Sequence, residues 1–353
     1  MRHPCTAAAV ILLAGAVDAQ VDKPAKPPAA DAAARRFSRE LELPARRREA
    51  VAELLRLGGP AVRPLLDAAR HPDLAVARTA FEVLAALEHE GLAAVPELER
   101  LAAGKDERAQ AAAWALARLP RRGTFLVAVT HEGVVREFDD TGKEIWKREK
   151  IGDAWTASLL ANGNLLVAGP DFGAREYDAA SNVVWQSEQR TACGAERLVD
   201  GSTLVTCSAG NGLSEVDAGN REVWSHANER VLFATRLPGG TTLMSDLAAN
   251  RVFEVTRDGQ VAWERDGFVS PFLCRRVRDG TTLVLQNSRP ALVVDRSGKS
   301  VREIPVEASV SDLVLLPDGT VECGKGYVRR CDSKGAERWR VSIKGFPGRI
   351  TLR

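Results

Sequence analysis

The sequence lacks an excess of charge of either sign: 49 Lys and Arg stand against 47 Asp and Glu in 353 residues, for a formal net charge of +2. A chain so balanced carries no basic footprint, so no nucleic-acid partner is expected. It also lacks a hydrophobic run of the roughly 20 residues that a membrane span needs. The best candidate, Thr6 to Val17, is shorter than that; it follows Arg2 and ends in Val17-Asp18-Ala19. That order reads as an export signal over residues 1–19, cleaved before Gln20, and implies a periplasmic or secreted protein. Cys5 precedes the apolar run instead of following it, which argues against a lipid anchor.

Signatures of catalysis are missing as well. There is no HExxH, GxSxG, P-loop or CxxCH and no metal-spaced Cys/His cluster, so neither a cofactor nor a metal site is expected. Behind the leader stand Cys193, Cys207, Cys274, Cys323 and Cys331, an odd number. Export permits disulfides without requiring them. Cys193 and Cys207 fall on neighbouring strands, where a bridge is geometrically open; buried thiols are the expectation for the others.

Residues 20–35, rich in Pro, Ala, Asp and Lys, have too little apolar side chain for a core and read as a linker. Residues 36–120 place apolar side chains at helical spacing, as in Phe81, Leu84 and Leu87 or Val95, Leu98 and Leu101. Gly58-Gly59-Pro60, His71-Pro72-Asp73, Glu90-Gly91 and Gly104-Lys105-Asp106 punctuate the stretch into five short helices. Within it AVRPLLDAARHPD and AVPELERLAAGKDE match, with Pro64 and Pro96 at the same place. These paired helices resemble HEAT repeats, which implies a short α-solenoid; so few repeats leave the ends of their stack uncovered, and the array should lean on the C-terminal part of the chain.

That C-terminal part is an internal repeat. Asp139, Asp178, Asp217, Thr256, Asp295 and Asp332 stand 39 residues apart four times and then 37 apart. Seven residues after each comes Trp146, Trp185, Trp224, Trp263, then Arg302 as the exception, then Trp339. Glycines such as Gly201, Gly240 and Gly280 open the units at a tight turn. Strands such as TLVTC and TTLVLQ are β-branched or alternating, which rejects a helical repeat. Each unit therefore reads as four short strands, and such a unit buries both faces only when packed against its neighbours in a ring. The predicted fold is mainly β with a helical start: a six-bladed β-propeller over residues 121–353. Residues 106–118 are too alanine-rich for a strand, so blade one takes its inner strand from the C-terminal FPGRITLR, which closes the ring.

Units such as RLPGGTTLMSDLAANRVFEVTRDGQVAWE resemble the quinoprotein-type propeller repeat. The resemblance implies architecture more than activity, because that group includes quinone-dependent dehydrogenases, arylsulfotransferases and modules that bind only protein. This chain lacks the adjacent cysteines of the dehydrogenases. Its propeller region holds two histidines, His131 and His226, in settings that do not match the sulfotransferase site. Glu137, Glu176, Glu215 and Glu254 recur in the third strands, and Arg197, Arg236 and Arg276 recur in the inner strands. They read either as an anion-binding arc or as ion pairs within or between blades, and the second is favoured.

Alternation of turns puts both tight turns of every unit on one face and the variable loops on the other. The loop residues expected around the channel mouth are the aromatic Trp155, Phe172 and Phe268, the cations Arg190, Arg230 and Arg289, the amides Asn211, Asn250 and Asn287, and His226. Aromatic and Arg side chains on a rigid scaffold suit recognition. The sequence thus points to an exported, non-enzymatic binding or scaffold protein with a protein or glycan partner. The alternative is an arylsulfotransferase- or lyase-like enzyme using His131 or His226.

Overall fold

The computed structural model of the chain describes residues 28–207, 212–227 and 230–353; the expected export signal lies outside them. The first helix, α1 (Pro28–Glu40), begins inside the stretch read as a linker. Alanine is the strongest helix former, and here it is more than filler: Ala34 and Phe37 are buried. Five more helices come after it: α2 (Pro44–Leu57), α3 (Val62–Ala68), α4 (Leu74–Ala86), α5 (Val95–Ala102) and α6 (Glu107–Arg118). The described residues thus hold six α-helices where five were expected. Proline opens α2 and α5 in the first turn, where its missing N–H costs nothing. The Asp73 and Asp106 side chains cap α4 and α6, accepting the N–H of Ala75 and Ala109 at 2.8 Å each. α4 packs on α2 and α6, and α1 on α3, around a core that includes Leu41, Leu54, Leu65, Phe81 and Leu84.

The strands form six antiparallel sheets of four. Blade one contains β1 (Phe125–Thr130), β2 (Val134–Phe138) and β3 (Glu144–Arg148). Blade two is β4 (Thr156–Leu159), β5 (Leu165–Gly169), β6 (Gly173–Tyr177) and β7 (Val183–Gln186). Blade three is β8 (Gly194–Arg197), β9 (Thr203–Cys207), β10 (Gly212–Val216) and β11 (Glu222–His226). Blade four is β12 (Ala234–Arg236), β13 (Thr242–Asp246), β14 (Arg251–Val255) and β15 (Val261–Arg265). Blade five is β16 (Pro271–Arg276), β17 (Thr282–Gln286), β18 (Ala291–Val294) and β19 (Ser300–Ile304). Blade six is β20 (Val310–Leu316), β21 (Gly319–Gly324), β22 (Tyr327–Asp332) and β23 (Glu337–Ser342). The last strand, β24 (Phe346–Leu352), returns to blade one and pairs with β1, setting Val127 opposite Ile350 and Leu126 opposite Thr351. The ring therefore closes as the sequence predicts, and the two chain ends of the propeller share one sheet.

The repeat works as a set of interlocking parts. In blades one to four the third-strand glutamate lies directly opposite the tryptophan of the outer strand, as in Glu215 opposite Trp224 and Glu254 opposite Trp263. Across the seam, Arg236 of blade four donates to Glu215 at 2.6 Å while its guanidinium lies 4.7 Å from the centre of the Trp224 ring. Arg276 of blade five stands likewise against Glu254 and 4.8 Å from Trp263. Arg197 donates to Glu176 of blade two at 2.7 Å. These glutamates are buried, two of them gripped a second time by Arg257 and Arg296 at 2.8 Å. The tryptophans bond across the same seam: Trp224, Trp263 and Trp339 donate their indole N–H to the carbonyls of Arg257, Arg296 and Asp140, each in the last turn of the next blade. That turn is built as expected, with Asp217 accepting the N–H of Gly219 and Arg221 at 2.9 Å. Gly142 in blade one's turn has φ +85°, and a Cβ there would stand 2.8 Å from Trp339, so glycine is required twice over.

Two blades depart from the scheme. Blade five sets Val293 opposite Arg302, which is exposed, so the seam towards blade six has no tryptophan wedge. Blade six places Arg330 where the glutamate stands, and it pairs with Asp318 at 2.6 and 2.7 Å. In blade one the chain's own end completes the pattern, Arg353 donating to Glu137 at 2.7 Å.

Removal of residues 346–353 deletes β24 and this Arg353 clamp together. The truncated chain is expected to aggregate or to lose its cooperative thermal transition. A melt identical to that of the full chain would show that β24 is not needed to close the ring.

Candidate functional site

The face of the tight turns is occupied. The indole N–H of Trp114 in α6 donates to the Arg197 carbonyl at 2.8 Å, and Arg118 reaches the Glu196 carboxylate at 3.0 Å. Glu82 of α4 accepts the N–H of Gly239 at 3.2 Å, Glu90 pairs with Arg278, and Val199 joins the helical core. Arg197, Val199, Gly239 and Arg278 lie at the ends of the inner strands of blades three, four and five or in the turns just after them. The helices therefore seat on those turns, and the variable-loop face is the end they leave uncovered. Burial drives the Glu82 carboxyl up from 4.5 to about 7, against the opposing pull of Gly239 N–H and Arg236.

The loop residues singled out by sequence are not gathered at one point. Trp155 lies beside the axis: its N–H donates to Ala168 at 2.7 Å, its carbonyl accepts from Arg349 at 2.8 Å, and its ring stands 6.4 Å from that of Phe233. Phe172 and Phe268 are not surface aromatics. Both are buried, Phe172 with Ile151 and Val167, Phe268 with Leu243 and Trp263, because the connections fold back over the blade ends and turn these rings into the interior. Phe172 still forms one wall of a recess of about 550 Å³ whose rim carries Arg190, so two of the expected residues meet there. Asn250 has φ +55° and accepts the N–H of Ser270 at 2.9 Å and of Phe268 at 3.2 Å, so it pins a loop in place. The backbone N–H of Asn287 donates to Val269 at 2.9 Å. Arg190, Arg230 and Arg289 are exposed, and Asn211 lies outside the described residues.

Neither histidine stands at the channel mouth. His226 ends the outermost strand of blade three, stacked on Trp224 at 6.2 Å and 8°; burial, aided by Arg251, holds it below the usual imidazole range. His131 has φ +65° and sets Nδ1 3.4 Å from Asp153, but its side chain is 74% exposed. Neither residue of this pair lines the recess that Phe172 and Arg190 share. Among the described residues no His, Cys, Asp and Glu cluster could hold a metal, and no helix is long and apolar enough to cross a membrane. Cys207, Cys274, Cys323 and Cys331 are buried thiols; burial, with Cys193 nearby, pushes Cys207 up to about 11, and burial pushes Cys274 to about 12.

The axis holds polar groups that sequence reading missed. Arg275 on β16 pairs with Asp312 on β20, which is fully buried and also accepts the N–H of Ile350 at 2.8 Å. Arg349 on β24 lies beside them, near Phe233. No periodic signal marks these positions, because each inner strand contributes a different side chain.

No protein-family model matches the chain, and no curated protein does either. Solved structures do match. A protein of unknown function from Bacteroides caccae aligns with a TM-score of 0.53 at 18% identity, covering 64% of this chain and 97% of its own. A chain of a nidogen/laminin complex gives 0.53 at 10% identity, covering 65% and 97%. A streptogramin B lyase gives 0.47 at 11% identity, covering 65% and 87%. The likeness is one of fold.

The raised Glu82 carboxyl has a measurable consequence. Its folded value lies above the unfolded one, so the protonated form favours the folded chain; this contribution is complete below about pH 4.5 and is lost as pH rises through about 7. Glu82→Gln should be nearly neutral at about pH 4.5 and should stabilise the chain by about 1–3 kcal/mol at about pH 8, read from unfolding curves across pH. Destabilisation at the higher pH would mean that the ionised carboxylate is what Gly239 and Arg236 hold.

Proposed function

We propose that the chain is an exported, non-enzymatic binding or scaffold protein whose loop face engages a protein or glycan partner, its HEAT-like helical segment serving as a cap on the opposite face. One observation carries the reading: the helices sit on the tight-turn face, leaving the variable loops as the uncovered end of a rigid ring, with Arg190 and Arg289 exposed on them. Side chains of this kind on loops held by a stiff scaffold are what recognition requires. The quinoprotein-like repeat is compatible with it, since that group includes modules that bind only protein, and a propeller of this fold belongs to a nidogen/laminin complex. The enzymatic reading has less behind it. His131 is solvated beside Asp153, and His226 is packed on an outer strand away from the axis.

The test uses the immobilised full chain against a glycan panel and against the exported protein fraction of its source. A specific ligand should be retained, should weaken at least tenfold with Arg190→Glu plus Arg289→Glu, and should be unaffected by Arg302→Glu on the outer rim. A ligand held equally by every variant would overturn the loop-face reading. Turnover of a substrate that disappears with His131→Ala would replace it by the enzymatic one.

A further inference from the structure

Among the described residues, the axis of the ring contains a cation without a counter-ion. Arg349 is tied down by its backbone, whose N–H donates to the Trp155 carbonyl at 2.8 Å. Its guanidinium lies 5.3 Å from the centre of the Phe233 ring, and no acceptor among the described residues takes a hydrogen bond from it. The carboxylates in its field are already committed. Asp312 serves Arg275 and the N–H of Ile350, while Glu196 takes Arg118 at 3.0 Å and the N–H of Arg236 at 3.1 Å. Burial and the second positive charge of nearby Arg275 together push Arg349 down to about 10, so Arg349 remains charged at neutral pH.

A guanidinium that no acceptor among the described residues holds offers a planar fork of donors matched to the oxygens of carboxylate, sulfate or phosphate. The Trp155 and Phe233 rings, packed against each other at 6.4 Å, form an apolar flank beside the guanidinium. Arg349 and Arg275 are both partly open to solvent, and the helices seat on the tight-turn face, so the approach is from the loop face. We infer that Arg349 anchors an axial site for a small oxyanion, taken either as the free ion or as the acid group of a sugar, beside Trp155 and Phe233. This is a site distinct from the exposed loop arginines, and it stands whether or not those arginines meet a macromolecular partner.

The experiment is calorimetric titration of the full chain at low ionic strength with sodium sulfate, acetate and glucuronate. Saturable binding at one site per chain is expected. It should weaken at least tenfold in Arg349→Gln and stay unchanged in Arg302→Gln, whose side chain is exposed on the outer rim. Tighter binding of glucuronate than of acetate identifies the acid group of a sugar, and tighter binding of sulfate identifies a free inorganic ion. If Arg349→Gln does not fold, Arg349→Lys carries the test, keeping the charge while losing the fork, with an expected loss of several-fold. Absence of saturable binding for all three anions overturns the inference, as does binding that is the same in wild type and in the Arg349 variants.

Discussion

The seams from blade two to blade five depend on a buried glutamate that is met by an arginine of the following blade. Glu215 and Glu254 are almost fully withdrawn from water, and their charge is met by two arginines of the following blade. An ionised carboxylate so enclosed costs several kcal/mol unless paired, so neighbouring blades are held in one relative position. The tryptophan opposite each glutamate completes the lock, stacking on one of those arginines and bonding to the carbonyl of the other. The same contact repeats at the three seams from blade two to blade five, and β24 closes the ring.

This lock also accounts for the arginines in the inner strands. A row of Arg197, Arg236 and Arg276 invites the idea of an anion-binding arc, but all three spend their charge on glutamates of the preceding blade. The cation left over at the axis, among the described residues, is Arg349, in the blade whose inner strand comes from the other end of the chain. The helices make use of the same geometry on the tight-turn face, bonding to backbone atoms that the uniform turns present, as Trp114 does to Arg197 and Glu82 to Gly239. One face of the ring is thereby given to internal packing and the other to the surroundings.

What can be read from sequence is whatever the period repeats. The turn aspartates, the tryptophans, the blade number and the closing strand all come from spacing, because each repeats under the same packing constraint. The start of α1 is hidden, since a short Ala- and Pro-rich segment has the composition of a linker, and only contact with the rest of the array makes it a helix. Phe172 and Phe268 are buried against expectation because a loop residue's direction is set by how the connection folds over the blade end, which spacing does not encode. Arg275 is overshadowed by its neighbour Arg276: successive residues of a strand face opposite ways, so one reaches Asp312 and the other the Glu254 seam.

The central claim is that an arginine of one blade and a glutamate of its neighbour act as a unit holding the ring together. A double-mutant cycle on the full chain tests it most directly, with unfolding free energies measured for Glu215→Gln, Arg236→Met and the pair. Each single change should cost about 3–5 kcal/mol, as expected when one partner of a buried pair is removed. The double variant should be more stable than the sum of the two losses predicts, with an interaction energy above about 1.5 kcal/mol. Losses that add to within about 0.5 kcal/mol would show that the two residues act independently and would contradict the account.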